Sequence, residues 1–224
     1  MPSRNDLHPY QNRMIDFIYN TPKCAVWAGL GLGKTITTLT AITDLLDSLT
    51  VCKVLIIAPL RVANSVWHTE AKRWTHTKDL IFSIVTGSEK ERISALFKSA
   101  DIYVINRENV QWLVELYKTK WPYDLVVIDE SSSFKSASSQ RFKALKKVRT
   151  LTDRMVQLTG TPSPNGLIDI WSQMFLLDGG ERLGKTMSAY KMRFFQTGHN
   201  GYTLTPVNNA DKIIHRLIDD MVIS

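Results

Sequence analysis

The chain has 224 residues, enough for one large domain and too few for two full ones. Its 44% hydrophobic and 22% charged residues are typical of a globular protein and exclude a disordered tail. The 28 Lys and Arg exceed the 21 Asp and Glu, and the resulting net charge of +7 favours polyanionic partners without identifying one.

Cysteine, histidine and hydropathy patterns exclude several classes of protein. Cys24 and Cys52 each lie in an apolar run, so we expect two buried thiols, no disulfide scaffold and a reducing compartment. The five histidines are scattered, without the spacing of a zinc site. The longest apolar run, Val54 to Leu60, is far below the roughly 18 residues that span a bilayer. We therefore expect an intracellular, cytoplasmic protein with no membrane partner.

Short runs rich in Val and Ile alternate with longer amphipathic stretches, which is typical of βαβ units around a buried parallel sheet. Tyr10, Met14 and Ile18 indicate an opening helix, and Ser88 with Glu91 forms a capping box for a later one. Strands are predicted at residues 23–28, 53–58, 80–86, 101–105, 124–129 and 154–159. The predicted fold class is α/β, with a mainly parallel sheet flanked by helices.

The C-terminal part has a different character. Residues 167–177 have the length and period of a helix, and Ala210–Ser224 are predicted to form another, with Ile214 and Ile218 on its apolar face. We therefore predict one α/β domain over residues 1–178 and an appended helical segment over residues 179–224.

A glycine-rich loop lies between the first predicted strand and the following helix. It reads Ala28-Gly29-Leu30-Gly31-Leu32-Gly33-Lys34-Thr35, with Ala28 at the first pattern position in place of glycine. In this setting Gly29, Gly31 and Gly33 let backbone N–H groups approach phosphates, the Lys34 charge meets the β- and γ-phosphates, and the Thr35 hydroxyl ligates Mg²⁺. The loop predicts binding of a nucleoside triphosphate.

A second string, Gly179-Gly180-Glu181-Arg182-Leu183-Gly184-Lys185-Thr186, satisfies the same written pattern. We expect it not to bind nucleotide, because a predicted helix precedes it and no strand edge delivers its amides.

Two carboxylates end the predicted strand Leu125-Val126-Val127-Ile128-Asp129-Glu130. Following a phosphate loop, this arrangement suits a Mg²⁺ ligand at Asp129 and a water-orienting carboxylate at Glu130. Together with Lys34, these two residues are the predicted catalytic set for triphosphate hydrolysis.

Polar residues at two further positions complete the predicted site. Thr159-Gly160-Thr161 follows an apolar run, and its hydroxyls are placed to sense the γ-phosphate state and pass it to a neighbouring element. Gln11 precedes the first helical turns, and its amide matches the donor and acceptor edge of adenine. Each pattern alone also fits a plain structural turn or a solvated side chain.

With these motifs in order, the chain resembles the first RecA-like, ATP-binding lobe of helicase superfamily two, and more narrowly the Swi/Snf-related DNA translocases. The matching stretches are Leu7-His8-Pro9-Tyr10-Gln11, Gly29 to Thr35, Asp129-Glu130 with Lys135, and Leu158-Thr159-Gly160-Thr161-Pro162 with Asn165 and Trp171. The resemblance implies ATP and Mg²⁺ as cofactors and DNA, duplex or single-stranded, as partner. It also favours phosphate contacts by Arg61, Asn64, Asn106 and Arg107.

Two features depart from the family pattern. Ser131-Ser132 replaces the Ala-His that follows Asp-Glu in many relatives, which puts any His-dependent coupling in doubt and resembles phage-encoded members, so a bacterial or phage-infected cell is one candidate setting. The paired arginines of a second lobe have no counterpart among Arg182, Arg193 and Arg216. A second RecA-like lobe in cis or in trans is thus implied, and the lone lobe is expected to be weakly active.

Three functions remain open on sequence alone. The first is the ATP-binding lobe of a DNA-dependent ATPase. A second is a non-catalytic nucleotide- or DNA-binding module that docks on another protein. A third, an unrelated P-loop kinase, is disfavoured because no acceptor-substrate or lid segment is evident.

Overall fold

Seven parallel strands form the centre of the computed structural model, which describes residues 1–197 and 203–224. The helices are α1 (Pro9–Asn20), α2 (Lys34–Asp47), α3 (Leu60–Lys72), α4 (Glu89–Leu96), α5 (Val110–Tyr117), α6 (Gln140–Val148), α7 (Ile170–Asp178), α8 (Met187–Phe194) and α9 (Ala210–Ile218). The strands are β1 (Lys23–Trp27), β2 (Val54–Ala58), β3 (Phe82–Val85), β4 (Ile102–Asn106), β5 (Leu125–Asp129), β6 (Arg154–Thr159), β7 (Phe195–Thr197), β8 (Leu204–Pro206) and β9 (Val222–Ile223).

The order of strands in the large sheet is β3-β4-β2-β5-β6-β1-β9. All six ladders are parallel, which confirms the predicted α/β fold class and all six predicted strands. Trp27 pairs with Thr159, and Asp129 pairs with Leu158. Because parallel strands end at the same edge, the chain segments after β1, β5 and β6 emerge side by side.

Helices cover both faces of this sheet, and alternate strand residues supply the two cores. Leu55 and Ile57 of β2 face one cluster, which α5, α6, α7 and α9 complete. Val54 and Ile56 face the other, which α1, α2 and α3 complete. The loops that carry the predicted motifs therefore rest on a sheet that is buried on both faces.

The C-terminal segment contains strands as well as helices. The helix predicted over residues 210–224 ends at Ile218, and Val222 and Ile223 instead pair in parallel with Ala25 and Val26 of β1. Val222 and Ile223 are both β-branched, and β-branched residues are favoured in strands. The apolar face of α9 packs on the core of the sheet through Ile214 and Ile218, while residues 198–202 lie outside the described part of the chain.

The two cysteines differ in burial. Cys24 is buried within β1 as predicted, but the prediction of a buried thiol at Cys52 is wrong. Cys52 lies in the turn before β2, where its backbone N–H donates to Oδ2 of Asp124 over 2.7 Å. The neighbouring Val51 is buried in its place. No helix in the described ranges is long and apolar enough to cross a membrane.

Candidate functional site

The glycine-rich loop joins the end of β1 to the start of α2, as its pattern requires. Gly31 and Gly33 have φ values of +80° and +74°, a backbone conformation that glycine adopts without strain. Lys34 begins α2 and donates from Nζ to the carbonyl oxygens of Ala28 (2.6 Å) and Gly29 (2.9 Å). The lysine charge therefore lies within the loop, beside a helix N-terminus, where anions bind favourably.

A cleft of about 420 Å³ opens in front of this loop. The predicted residues on its wall are Gly31, Gly33, Lys34, Thr35, Asp129 and Glu130. Helix α3 closes the opposite side through Val62, Val66 and Glu70. The structure thus brings the loop and both carboxylates, about 95 positions apart along the chain, into one cleft.

Asp129 is the last residue of β5, and its carboxylate accepts a 3.0 Å hydrogen bond from the indole Nε1 of Trp67. Burial raises the pKa of Asp129, and the bond from Trp67 opposes that increase. The negative charge of Glu130 raises this pKa further, and the positive charge of Lys34 lowers it. Asp129 and Lys34 therefore interact electrostatically.

Glu130 has a φ of +59°, which is unusual for a residue with a side chain. Oε1 of Glu130 accepts hydrogen bonds from Thr159 Oγ1 (2.7 Å) and Ser132 Oγ (2.6 Å). Strained backbone of this kind is found at functional sites, where surrounding contacts hold it in place. Here one contact comes from the last residue of β6 and the other from the serine-rich loop.

The turn after β6 also contacts the phosphate loop directly. The backbone N–H of Ala28 donates to the carbonyl of Thr159 over 3.1 Å, and Thr159 Oγ1 accepts from the N–H of Thr161. A Cβ added at Gly160 would lie 3.4 Å from the carbonyl oxygen of Ala28. Thr159 therefore contacts both the phosphate loop and Glu130, Gly160 lies against the loop, and Thr161 bonds to Thr159.

Gln11 lies behind the loop and is 6% exposed. Its Oε1 accepts from the backbone N–H of His8 (2.8 Å), and its Nε2 donates to the carbonyl of Leu32 (3.5 Å). Both ends of the amide thus have partners within the protein. To contact adenine, the side-chain amide of Gln11 would have to replace one of these two hydrogen bonds with a bond to the base.

A second cavity, of about 460 Å³, lies beside the loop next to α1. Tyr10 and Arg13 of α1 line it together with Trp27 and Leu32. Its apolar walls and aromatic rings suit a planar base. Sequence reasoning named Gln11 and missed these four residues, because only the packing of α1 against the loop brings them together.

The donor set in the first cleft fits Mg²⁺. The Thr35 hydroxyl and the Asp129 carboxylate both supply oxygen, the ligand atom that Mg²⁺ prefers. In the described ranges no three His, Cys, Asp or Glu side chains come together as a metal cage. One or two protein oxygens with the remaining ligands from phosphates and water is the usual form of a nucleotide-bound Mg²⁺ site.

The predicted nucleic-acid residues lie at the ends of β2 and β4, on the same edge of the sheet. Arg61 and Asn64 are exposed on α3, and Asn64 Oδ1 accepts from Thr86 Oγ1 over 2.7 Å. Asn106 is 6% exposed, and its Nδ2 donates to Glu108.

Arg107 shares this edge and forms a 3.0 Å ion pair with Glu108. Arg61 is thus the most accessible cation of the predicted set, whereas Asn106 and Arg107 are engaged within the protein.

The second glycine-rich string has a different structure. Helix α7 precedes it, and the carboxylate of Asp178 accepts from the backbone N–H groups of Gly180 (2.7 Å) and Arg182 (2.9 Å). Lys185 is exposed. The helix predicted before the string is confirmed, and two of its amides already bind a carboxylate. That the string binds no nucleotide stays a prediction.

Comparison with known proteins gives matches over nearly the whole chain. The model of the SNF2-related domain family matches residues 10–219. Protein p41 of the Acyrthosiphon pisum secondary endosymbiont phage 1 is 38% identical over 227 residues, which cover 96% of this chain and 49% of that protein. The mouse DNA excision repair protein ERCC-6-like is 28% identical over 199 residues, which cover 84% of this chain and 16% of the relative.

Among solved structures, the Sulfolobus solfataricus SWI2/SNF2 ATPase core in complex with dsDNA has a TM-score of 0.79 at 24% identity. The match covers 97% of this chain and 44% of that one. The fold is therefore that of part of such a core. The chain spans about half or less of the length of the relatives it matches.

Proposed function

The chain belongs to the family of SNF2-related domains, and on that premise we propose that it is the ATP-binding lobe of a DNA-dependent ATPase. The observation that carries the proposal is the single cleft that holds Lys34, Thr35, Asp129 and Glu130. In P-loop enzymes these residue types bind phosphate, hold Mg²⁺ and orient the attacking water.

The residues have separate roles in this proposal. Lys34 and the loop amides bind the phosphates, while Thr35 and Asp129 hold Mg²⁺, which neutralises charge that develops on the phosphate oxygens. Glu130 orients the attacking water through the carboxylate that Thr159 and Ser132 hold in place. Tyr10, Arg13 and Trp27 surround the adenine, with Gln11 behind them.

We further propose that hydrolysis requires a second lobe, joined in cis or supplied in trans. An arginine delivered to the γ-phosphate is worth roughly 10³–10⁵ in rate. Arg182 is unsuited to that task because it pairs with Asp220 and Asp178. In this proposal residues 1–178 hold the nucleotide site, and residues 179–224, whose α9 and β9 pack on the same sheet, continue toward the second lobe.

DNA is the proposed partner, bound along the edge that carries Arg61, Asn64, Asn106 and Arg107. Support comes from the exposure of Arg61 at this edge and from the dsDNA bound by the Sulfolobus neighbour. Contacts of this kind are made to phosphates and depend little on base sequence.

ATP turnover with and without DNA tests the proposed function, measured first on this chain and then after addition of a second RecA-like lobe from a relative. We expect slow turnover by the chain alone and DNA-stimulated turnover with both lobes. If no combination hydrolyses ATP while the chain still binds ATP or DNA, the non-catalytic binding module is the better description.

A further inference from the structure

We propose that Trp67 is a positioning residue that orients the carboxylate of Asp129 for Mg²⁺. The inference rests on the proposed function, which assigns Asp129 to the metal. Trp67 lies within α3, 62 positions before Asp129, and its indole N–H donates to Oδ2 over 3.0 Å. Neither the phosphate loop nor the Asp-Glu pattern includes this tryptophan.

The hydrogen bond fixes one oxygen of the carboxylate. Oδ2 of Asp129 accepts from the indole, which restrains rotation of the whole carboxylate group. A metal ligand must be held close to one orientation, and an outer hydrogen bond commonly supplies that restraint. Trp67 would act on the metal through Asp129 without contacting the metal itself.

The donor is itself held rigidly. Trp67 is 0% exposed and packs in the core cluster between α3 and the sheet, with Ala63 and Ala71 one turn to either side. A fully buried ring has little rotamer freedom, so the position of its N–H is set by where α3 lies. The orientation of Asp129 is therefore coupled to the position of a whole helix.

That helix borders both proposed binding surfaces. Val62, Val66 and Glu70 of α3 line the nucleotide cleft, and Arg61 and Asn64 near its start are exposed at the proposed DNA edge. Trp67 and Arg61 therefore belong to one helix, which borders both surfaces.

The test uses Trp67→Phe, which keeps an aromatic ring in the core and removes the N–H donor. Affinity for ADP is measured by titration calorimetry with Mg²⁺ and again with excess EDTA. We define the Mg²⁺ gain as the ratio of ADP affinity with Mg²⁺ to ADP affinity in EDTA. We expect this ratio to be about tenfold or more lower in Trp67→Phe than in wild type, the usual effect of losing a hydrogen bond to a charged group. Affinity in EDTA should change less than twofold.

Trp121→Phe is the matched control. Trp121 is buried on the other face of the sheet, and its indole N–H donates to Thr152 Oγ1 over 2.9 Å. The substitution removes the same atoms from a tryptophan remote from the cleft, so the gain from Mg²⁺ should be unchanged. The same measurement in the Asp129→Asn background should show no further effect of Trp67→Phe, because the two residues act together.

Four results would overturn the inference. Equal losses of ADP affinity with and without Mg²⁺ would show that Trp67 has only a packing role, as would an effect that persists in the Asp129→Asn background. An unchanged gain from Mg²⁺ in Trp67→Phe would overturn this inference alone. A wild-type protein that gains nothing from Mg²⁺ would overturn the metal assignment and the inference with it.

A second measurement needs no substitution of Trp67, in case the phenylalanine variant does not fold. The chain has six tryptophans, whose indole N–H signals are resolved by NMR on the ADP-bound protein. We expect one signal to move when Mg²⁺ is added and to stay in place in Asp129→Asn. If no indole signal responds to Mg²⁺, the inference is wrong.

Discussion

The hydroxyl of Thr159 donates a 2.7 Å hydrogen bond to Oε1 of Glu130, so the last residue of β6 holds the carboxylate that follows β5. Ser132 donates to the same oxygen over 2.6 Å. Within the described ranges both bonds use Oε1, which leaves Oε2 of Glu130 to accept from a water. Thr159, which contacts the phosphate loop, thereby also fixes the residue proposed to orient the attacking water.

Removal of this bond should affect turnover more than binding. Thr159→Val keeps the shape of the side chain and removes its donor, so Glu130 is held by Ser132 alone. We expect kcat for DNA-stimulated hydrolysis to fall about tenfold, the effect of roughly 1.4 kcal/mol, with unchanged ATP affinity. Steady-state kinetics of ATP hydrolysis, with both lobes and DNA present, measure this change in kcat. Lost ATP affinity at unchanged kcat would show that Thr159 serves the loop and not Glu130.

The glycines of the phosphate loop should differ in their tolerance of a side chain. A Cβ at Gly33 would lie 2.2 Å from Nε2 of Gln11, whereas a Cβ at Gly31 meets no atom within 4 Å. Both positions have positive φ, so each alanine costs about 1 kcal/mol of backbone strain. Only Gly33→Ala must also displace Gln11.

We therefore expect Gly33→Ala to weaken ATP binding at least tenfold more than Gly31→Ala, as measured by fluorescent nucleotide titration. Equal losses for the two variants would show that φ strain alone governs the loop and that the contact between Gly33 and Gln11 is unimportant.

The buried charge of Asp129, which is proposed to ligate Mg²⁺, is predicted to lower the stability of the folded protein. Burial raises its pKa above the ordinary value of 3.8, so the folded protein binds this proton more tightly than the unfolded chain. Its contribution to stability consequently falls as pH rises through the range between the two pKa values. Asp129→Asn removes the buried charge and should raise the melting temperature at pH 7 by a few degrees.

The Asp129→Asn substitution should also abolish the effect of Mg²⁺ on nucleotide affinity.

The gain in melting temperature that Asp129→Asn gives should shrink as pH falls, because the wild-type carboxylate then becomes protonated and neutral. Calorimetric melts from pH 7 down to the acid limit of folding measure this trend. An Asn variant that melts lower than wild type at pH 7 would contradict the sign of the argument.

The proposed DNA edge makes a prediction about salt. Each phosphate contact made by a cation contributes close to one to the slope of log affinity against log salt concentration. Arg61→Ala should reduce that slope by about one for any DNA sequence. Fluorescence anisotropy between 50 and about 200 mM salt measures the slope.

Lys212→Ala is the charge-matched control for this prediction. Lys212 is exposed on α9, which packs on the face of the sheet opposite to α3. Its removal lowers the net charge equally and should leave the slope unchanged. If the two variants behaved alike, overall charge rather than the edge at Arg61 would explain DNA binding.

Local patterns were sufficient to predict the phosphate loop, because strand, glycines and helix follow one another in the chain. The six long parallel strands were predictable for a similar reason, since each is a continuous run of β-branched and apolar residues. The position of Asp129 beside Lys34 also follows, because parallel strands end at one edge.

Other features depend on contacts between distant residues. Trp67 meets Asp129 only because α3 packs across the end of β5, and the sequence around Trp67 gives no sign of that partner. The strand at Val222–Ile223 is two residues long, too short to show a period, and is defined by its pairing with β1. Cys52 was expected to be buried because it lies in an apolar run, but β2 begins two residues later.

Nucleotide titration of two lysine variants tests the central claim most directly. Lys34 lies in the phosphate loop, bound to the carbonyls of Ala28 and Gly29, while Lys185 is exposed in the glycine-rich string whose amides bind Asp178. With Mg²⁺ present, Lys34→Ala should abolish ATP binding and Lys185→Ala should leave the affinity at the wild-type value. ATP binding that survives Lys34→Ala, or is lost in Lys185→Ala, would contradict the assignment of the site.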